Sequence, residues 1–197
     1  MMELKYWVME GEAKKMIINS IEEGKERVGV LKNGKILDLS EKVDKLAPNS
    51  RKLFSIVHPK DIYQEIFDSD GYVHTHLHPE DKYASSNDLE FFSRFPGNKD
   101  YLFAIISPKH VVIYNRDRKI LKEKEIKIQL NGRQKRKLRC WKCWIEMHME
   151  YGLAEAVLLR KKYSEDKFRK LVLKDPFGKN VTELIEKIEM ECIDYLD

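Results

Sequence analysis

A chain of 197 residues with 42% hydrophobic and 36% charged side chains is long enough for one sizeable packed domain, or one domain with a helical annex, and too short for two full ones. That balance excludes a disordered tail and a collagen-like repeat, and no run approaches the roughly 18 to 20 apolar residues of a membrane span. The net charge of +4, from 37 basic against 33 acidic residues, is too small to argue for nucleic acid by itself.

In chain order, Leu4 to Val8 reads as a short strand. Glu12 to Gly24 reads as a helix whose Ala13, Met16, Ile17 and Ile21 recur near helical spacing and which stops at the glycine. VGVLKNGKILDL follows, two apolar runs joined by Asn33-Gly34. That dipeptide readily takes positive φ at both central turn positions, so a hairpin is predicted. Lys52 to Val57 is a further strand, and PKDIYQEIF, from Pro59, a short helix with proline at an early position. Gly71 opens the strand YVHTHL, and Pro79 to Ser85 is polar loop. Ser85 or Ser86 caps the helix NDLEFFSRF, which sets Leu89, Phe92 and Phe95 on one face before Pro96-Gly97 ends it. Strands at Tyr101 to Ile106 and Val111 to Asn115 come next, and the alternation of ILKEKEIKIQL is that of a half-exposed strand. After Asn131-Gly132 the pattern turns helical, with WIEMHMEYGLAEAVLLRKKY and VTELIEKIEMECIDYL separated by Asp175-Pro176-Phe177-Gly178. The predicted organisation is an α/β domain over residues 1–131 and a helical C-terminal annex over residues 132–197.

Chemistry concentrates at His74, His76 and His78, three of the six histidines. Strand side chains alternate between faces, so all three project the same way while the strand stays extended, about 6 to 7 Å apart. Two such imidazoles can reach one metal ion. A zinc ion used for hydrolysis needs three protein ligands and an open position, and Asp88, on the first turn of the next helix, is a suitable third.

The run Gly71-Tyr72-Val73-His74-Thr75-His76, followed by Ser85-Ser86-Asn87-Asp88-Leu89, resembles the signature of the JAMM (MPN+) metallopeptidases, the JAB-type isopeptidases related to deubiquitinases and their prokaryotic relatives. That signature reads H-x-H-P, about six residues, then S-x-x-D. Glu26-Arg27-Val28-Gly29-Val30-Leu31 is similar to the upstream glutamate and Gly-hydrophobic-Leu strand of the same family, and the likeness covers residues 10–128. It implies a cytidine-deaminase-like mixed sheet flanked by helices, with Zn2+ held by His74, His76 and Asp88. It further implies Glu26 as general base and then acid, and Ser85 as a donor to the tetrahedral oxyanion. The implied reaction is hydrolysis of an amide or isopeptide bond in a protein substrate, such as a ubiquitin-like protein conjugated to lysine.

Two registers stay open. From His76 to Ser85 is nine positions where the family has eight, and Leu77 stands where the family has proline. The alternative frame, His76-Leu77-His78-Pro79, restores the proline and leaves the spacing one residue short. The first is favoured because Gly71 precedes His74 by three, as in the family, and a loop absorbs an extra residue easily. His78 is then a loop histidine beside the metal.

Other features carry less. The run RQKRKLRCWK from Arg133 to Lys142 holds six basic residues and no acid, and a solvated helix start is favoured over a surface for an acidic partner or nucleic acid. Cys140 and Cys143 form half of a zinc site that His148 and Cys192 would complete, but buried helical cysteines among Trp141, Trp144 and Met147 are the plainer account. Three cysteines make no disulfide framework and the N-terminus lacks a secretory layout, so a cytoplasmic protein with reduced thiols and no membrane partner is expected. His58, before Pro59, and His110, in a turn, read as structural or exposed. The rival to an enzyme is a non-catalytic MPN-type scaffold or protein-interaction module, against which the retained ligands count. The sequence does not set the oligomeric state.

Overall fold

Ala13, Met16, Ile17 and Ile21 form the buried stripe of the first helix, α1 (Glu10–Glu23). The computed structural model describes residues 10–48, 50–51, 56, 58–77, 82–95 and 100–151, the side chains of 143–144 and 146–151 excepted. The strand predicted at Leu4 to Val8, most of that at Lys52 to Val57, His78 and Pro79, and the annex beyond Tyr151 lie outside the described residues.

α1 stops at Gly24, whose φ of 64° is a left-handed conformation that glycine adopts without a side-chain clash. Strands β1 (Val28–Lys32) and β2 (Lys35–Asp38) form the predicted hairpin, turning on Asn33 at φ 52° and Gly34 at φ 74°. The sequence reading did not anticipate α2 (Ser40–Leu46), because it buries little apolar surface beyond Val43 and so shows no hydrophobic period. It is held by polar bonds instead, Asp38 accepting from Ser40 N at 2.9 Å and the Ser40 hydroxyl accepting from Val28 N at 3.0 Å. A 3₁₀ turn, Lys60–Ile62, then leads into α3 (Tyr63–Phe67). β3 (Gly71–Thr75), α4 (Ser86–Arg94), β4 (Leu102–Ile106), β5 (His110–Tyr114), β6 (Ile120–Glu125) and α5 (Gly132–Tyr151) complete the order.

The six strands form one mixed sheet in the order β2-β1-β3-β4-β5-β6, with β3 and β4 parallel and the other neighbours antiparallel. The predicted strand ILKEKEIKIQL runs only to Glu125, because its partner β5 begins at His110, opposite Glu125. One further bond, Ile126 N to Lys109 O at 2.7 Å, closes the ladder. Gly71 lies where the parallel neighbour presses closest: a Cβ there would stand 2.7 Å from the Leu102 carbonyl oxygen.

Alternation divides the sheet's two faces. Val28, Val30, Tyr72, Phe103, Ile105, Val112 and Tyr114 point to one side, where Val43 of α2, Ile66 of α3, Phe92 of α4 and Phe95 just after it complete the core. Phe92 stacks on Phe103 with ring centroids 4.1 Å apart. On the other side lies α1, whose Ser20 hydroxyl meets that of Thr75 at 2.8 Å.

The chain divides into two compact units, Met1–Gln134 and Lys135–Asp197. The basic run lies on α5, with Arg133, Lys135, Arg136 and Arg139 exposed. Cys140, on the same helix, is buried. Among the described residues no helix is long and apolar enough to cross a membrane.

Candidate metal centre

Parallel neighbours need a crossover, and α4 is the crossover between β3 and β4. Its N-terminus therefore comes back over the carboxyl end of β3, the edge at which ligands gather in open α/β sheets. β3 keeps its extended pairing one residue past its formal end, His76 N donating to Ile106 O at 2.8 Å. Extension keeps His74 and His76 on one face, their rings 4.9 Å apart and their Nε2 atoms 2.9 Å apart.

The third group arrives through a capping box. Ser85 is the N-cap of α4: its hydroxyl accepts from Asp88 N at 3.2 Å, and Asp88 Oδ2 accepts from Ser85 N at 2.7 Å. The same Oδ2 accepts the Ser85 hydroxyl proton at 2.6 Å. Held this way, the carboxylate turns back to the strand, Oδ1 standing 3.4 Å from His74 Nε2 and Oδ2 3.3 Å from His76 Nε2. The predicted trio His74, His76 and Asp88 therefore converges, with one possible ligand atom from each inside a 4.8 Å span.

The donor set fits a metal ion. Two imidazole nitrogens and a carboxylate converge, a set of groups that could hold a cation. Bonds of about 2.0 to 2.1 Å to a tetrahedral zinc leave ligand atoms about 3.3 Å apart. The imidazoles stand 2.9 Å apart, while the carboxylate reaches His74 through Oδ1 at 3.4 Å and His76 through Oδ2 at 3.3 Å, so one oxygen shared by both would stand farther from one ring, within the 4.8 Å span. Burial pushes the His74 imidazole down to about 3, against the pull of Asp88, so it is neutral near pH 7. Burial alone would raise Asp88, but the His76 hydrogen bond, its interactions with the two histidines and the Ser85 hydrogen bond hold its carboxyl well below the usual range. Neutral imidazole and ionised carboxylate are the forms that bind metal. The histidines are 6% exposed, whereas the Asp88 side chain is 18% exposed, so the centre opens to solvent on the helix side.

Glu26, the predicted base, is buried two residues ahead of β1. Val28 pairs with His74, and Thr75 N donates to Arg27 O at 3.0 Å. Continued by one more residue, that register sets Glu26 across from His76, and directly opposed residues share a face. The Tyr72 hydroxyl is raised well above its ordinary value by burial and then by the charges of Asp88 and Glu26. The backbone of Glu26 is anchored too: buried Arg51 donates to its carbonyl at 3.0 Å while reaching Asp44 and Glu23 with its other nitrogens. Arg27 pairs with Glu23 and, at 2.8 Å, with Asp38. Ser85, expected to serve an oxyanion, has its proton engaged on Asp88, where it orients that carboxylate. His78, on which the alternative register depends, lies outside the described residues. An apolar pocket lined by Ala13, Leu31, Ala104, Ile106 and Ile113 belongs to the α1 side of the sheet, the face opposite the histidines.

His58, expected to be structural or exposed, is packed in a structural role. Its ring lies against Phe91 and its Nε2 meets the Tyr72 hydroxyl at 2.8 Å. No motif marks this position; the only signal was a histidine ahead of Pro59, and the contacts that matter come from distant segments. Burial depresses His58 to about 4, against an ordinary value of 6.5. The unfolded chain thus binds a proton here that the folded one refuses. This contribution to stability is present in full above pH 6.5 and is lost as pH falls towards 4. Urea denaturation of the metal-free chain at pH 7 and pH 4 is expected to show a loss from this residue of up to about 3 kcal/mol. His58→Phe should remove that part of the pH dependence; an unchanged pH dependence would mean that His58 is not held neutral.

In comparison with known proteins, no family model, curated protein or solved structure matches the chain.

Proposed function

We propose that the chain is a zinc metallopeptidase that hydrolyses an amide or isopeptide bond, built on a JAMM/MPN-type, cytidine-deaminase-like version of the mixed sheet. The observation that carries this reading is the convergence of His74, His76 and Asp88 at the carboxyl edge of β3. The approach of Glu26 along the neighbouring strand supports it.

Zinc, when bound, supplies Lewis acidity, polarising the scissile carbonyl and making water a competent nucleophile near neutral pH. His74, His76 and Asp88 would hold such an ion. Glu26 takes a proton from the attacking water as the new carbon–oxygen bond forms, then delivers it to the leaving nitrogen as the carbon–nitrogen bond breaks. The carboxylate ends as it began and the proton leaves on the amine. Ser85 keeps Asp88 aimed at the histidines, and its hydroxyl, once turned from Asp88, is a donor for the oxyanion.

The substrate class, a ubiquitin-like protein conjugated to lysine, rests on the motif resemblance. It is tested by purifying the chain, measuring bound metal by mass spectrometry, and following cleavage of such conjugates with and without a chelator. One zinc per chain and cleavage lost on chelation are expected. A chain that purifies without metal and takes up none, or cleavage that survives chelation, would sink the proposal.

A further inference from the structure

Tyr72 precedes His74 by two residues on the same face of β3, and its ring meets the His74 imidazole edge-on, with centroids 5.5 Å apart and planes at 72°. On its far side the hydroxyl bonds His58 Nε2 at 2.8 Å. His58 lies parallel to Phe91, the planes within 3° at 5.7 Å, and Phe91 also meets Tyr72 edge-on at 5.2 Å. Phe91 stands three residues after Asp88 on α4, one turn along the same helix face. The three rings thus touch both elements that supply the candidate ligands, the strand that carries His74 and His76 and the helix that carries Asp88.

From this juxtaposition we infer that His58, Tyr72 and Phe91 form a brace that orients His74 and sets the distance between β3 and α4 at the metal centre. The inference rests on the metal-centre reading and adds positioning residues to it. A metal site tolerates ligand displacements of only about 0.5 Å. A strand and a helix joined by a loop do not hold such a tolerance unaided. Aliphatic packing would fill the same volume, but it would leave the Tyr72 ring free to slide along its neighbours. The hydroxyl removes that freedom, because a buried phenol is costly without an acceptor and His58 Nε2 is the acceptor in reach. The neutral ring offers Nε2 as that acceptor in its Nδ1–H tautomer, and burial keeps His58 neutral across the physiological range.

A merely structural cluster and a brace differ in what they do to the metal. The full chain, stripped of metal, is titrated with Co2+ against a chromogenic chelator, and its visible absorption is recorded. Three variants are compared with the wild type: His58→Phe, which keeps the ring and loses the acceptor; Tyr72→Phe, which loses only the hydroxyl; and His58→Gln, which keeps an acceptor. His58→Phe and Tyr72→Phe are each expected to weaken Co2+ binding about 10- to 100-fold, as removing an outer partner of a ligand typically does, and to shift the visible band. The double variant should be no weaker than either single one, and His58→Gln should recover most of the affinity. Thermal melts check folding, and Tyr72→Phe, which removes one atom, preserves the test should His58→Phe not fold. Folded variants with wild-type affinity and spectrum, or losses that add in the double variant, would overturn the brace and leave the metal centre standing. A wild-type chain that binds neither Co2+ nor Zn2+ would overturn both.

Discussion

Asp88→Asn is expected to bind zinc at least about 100-fold more weakly than the wild type while remaining folded. The floor is set by outer partners of metal ligands, whose removal alone costs 10- to 100-fold, and Asp88 is itself a ligand in this reading. Charge is the reason. Two imidazoles contribute no negative charge, so Asp88 is the only anion in the trio, and an amide oxygen is a neutral and weaker donor to zinc. Asparagine keeps the shape and an oxygen able to accept from Ser85 N, so α4 retains its cap. Alanine would confound the two effects, since it also removes the capping box, worth about 1 kcal/mol. Zinc competition titrations beside circular dichroism separate them. Wild-type affinity in a folded Asp88→Asn chain would remove Asp88 from the metal centre.

The second large effect concerns turnover. Glu26→Gln is expected to lower hydrolysis by about 10² to 10⁴, the usual worth of a positioned general base, with zinc content unchanged. The amide is nearly isosteric and sits in a buried position whose backbone Arg51 holds through the carbonyl, so the substitution removes proton transfer and leaves the local frame intact. Rate and metal content then report on different residues: Asp88→Asn loses both, Glu26→Gln loses only the rate. Steady-state cleavage assays with parallel metal analysis give the comparison. Turnover by Glu26→Gln at the wild-type rate would dismiss Glu26 as the base, whatever the fate of the metal centre.

The ion pairs around Glu26 matter for the same reason. Arg27 and Arg51 are almost wholly buried, and buried charges stay in place only when paired. Here Glu23 serves both arginines, from the last turn of α1, while Asp38 and Asp44 complete one pair each. The segment joining α1 to β1 is therefore tied down from three sides. A short connection of this kind would otherwise be free to move, and Glu26 with it.

Local chemistry was enough to make several elements legible in the sequence. The Asn33-Gly34 turn, the stop at Gly24, the buried stripe of α1 and the Ser85 cap of α4 each depend on residues within a few positions of one another. The pairing of His74 with His76 was legible for the same reason, since a period of two is a property of one extended strand. Residues that touch only after folding gave no such sign. α2 is held by bonds between its Ser40 and both Asp38 and Val28, with a single buried apolar residue, Val43, to mark it, and β6 ends opposite the start of β5, which no residue of its own announces. The closing of Asp88 onto the histidines needs the parallel crossover, and the brace of His58, Tyr72 and Phe91 joins three segments far apart in the chain. Spacing along the backbone carries which residues can act and which way each strand or helix turns them. Only packing of the crossover helix on the sheet decides which of them meet, because that distance is set by side chains from every layer at once.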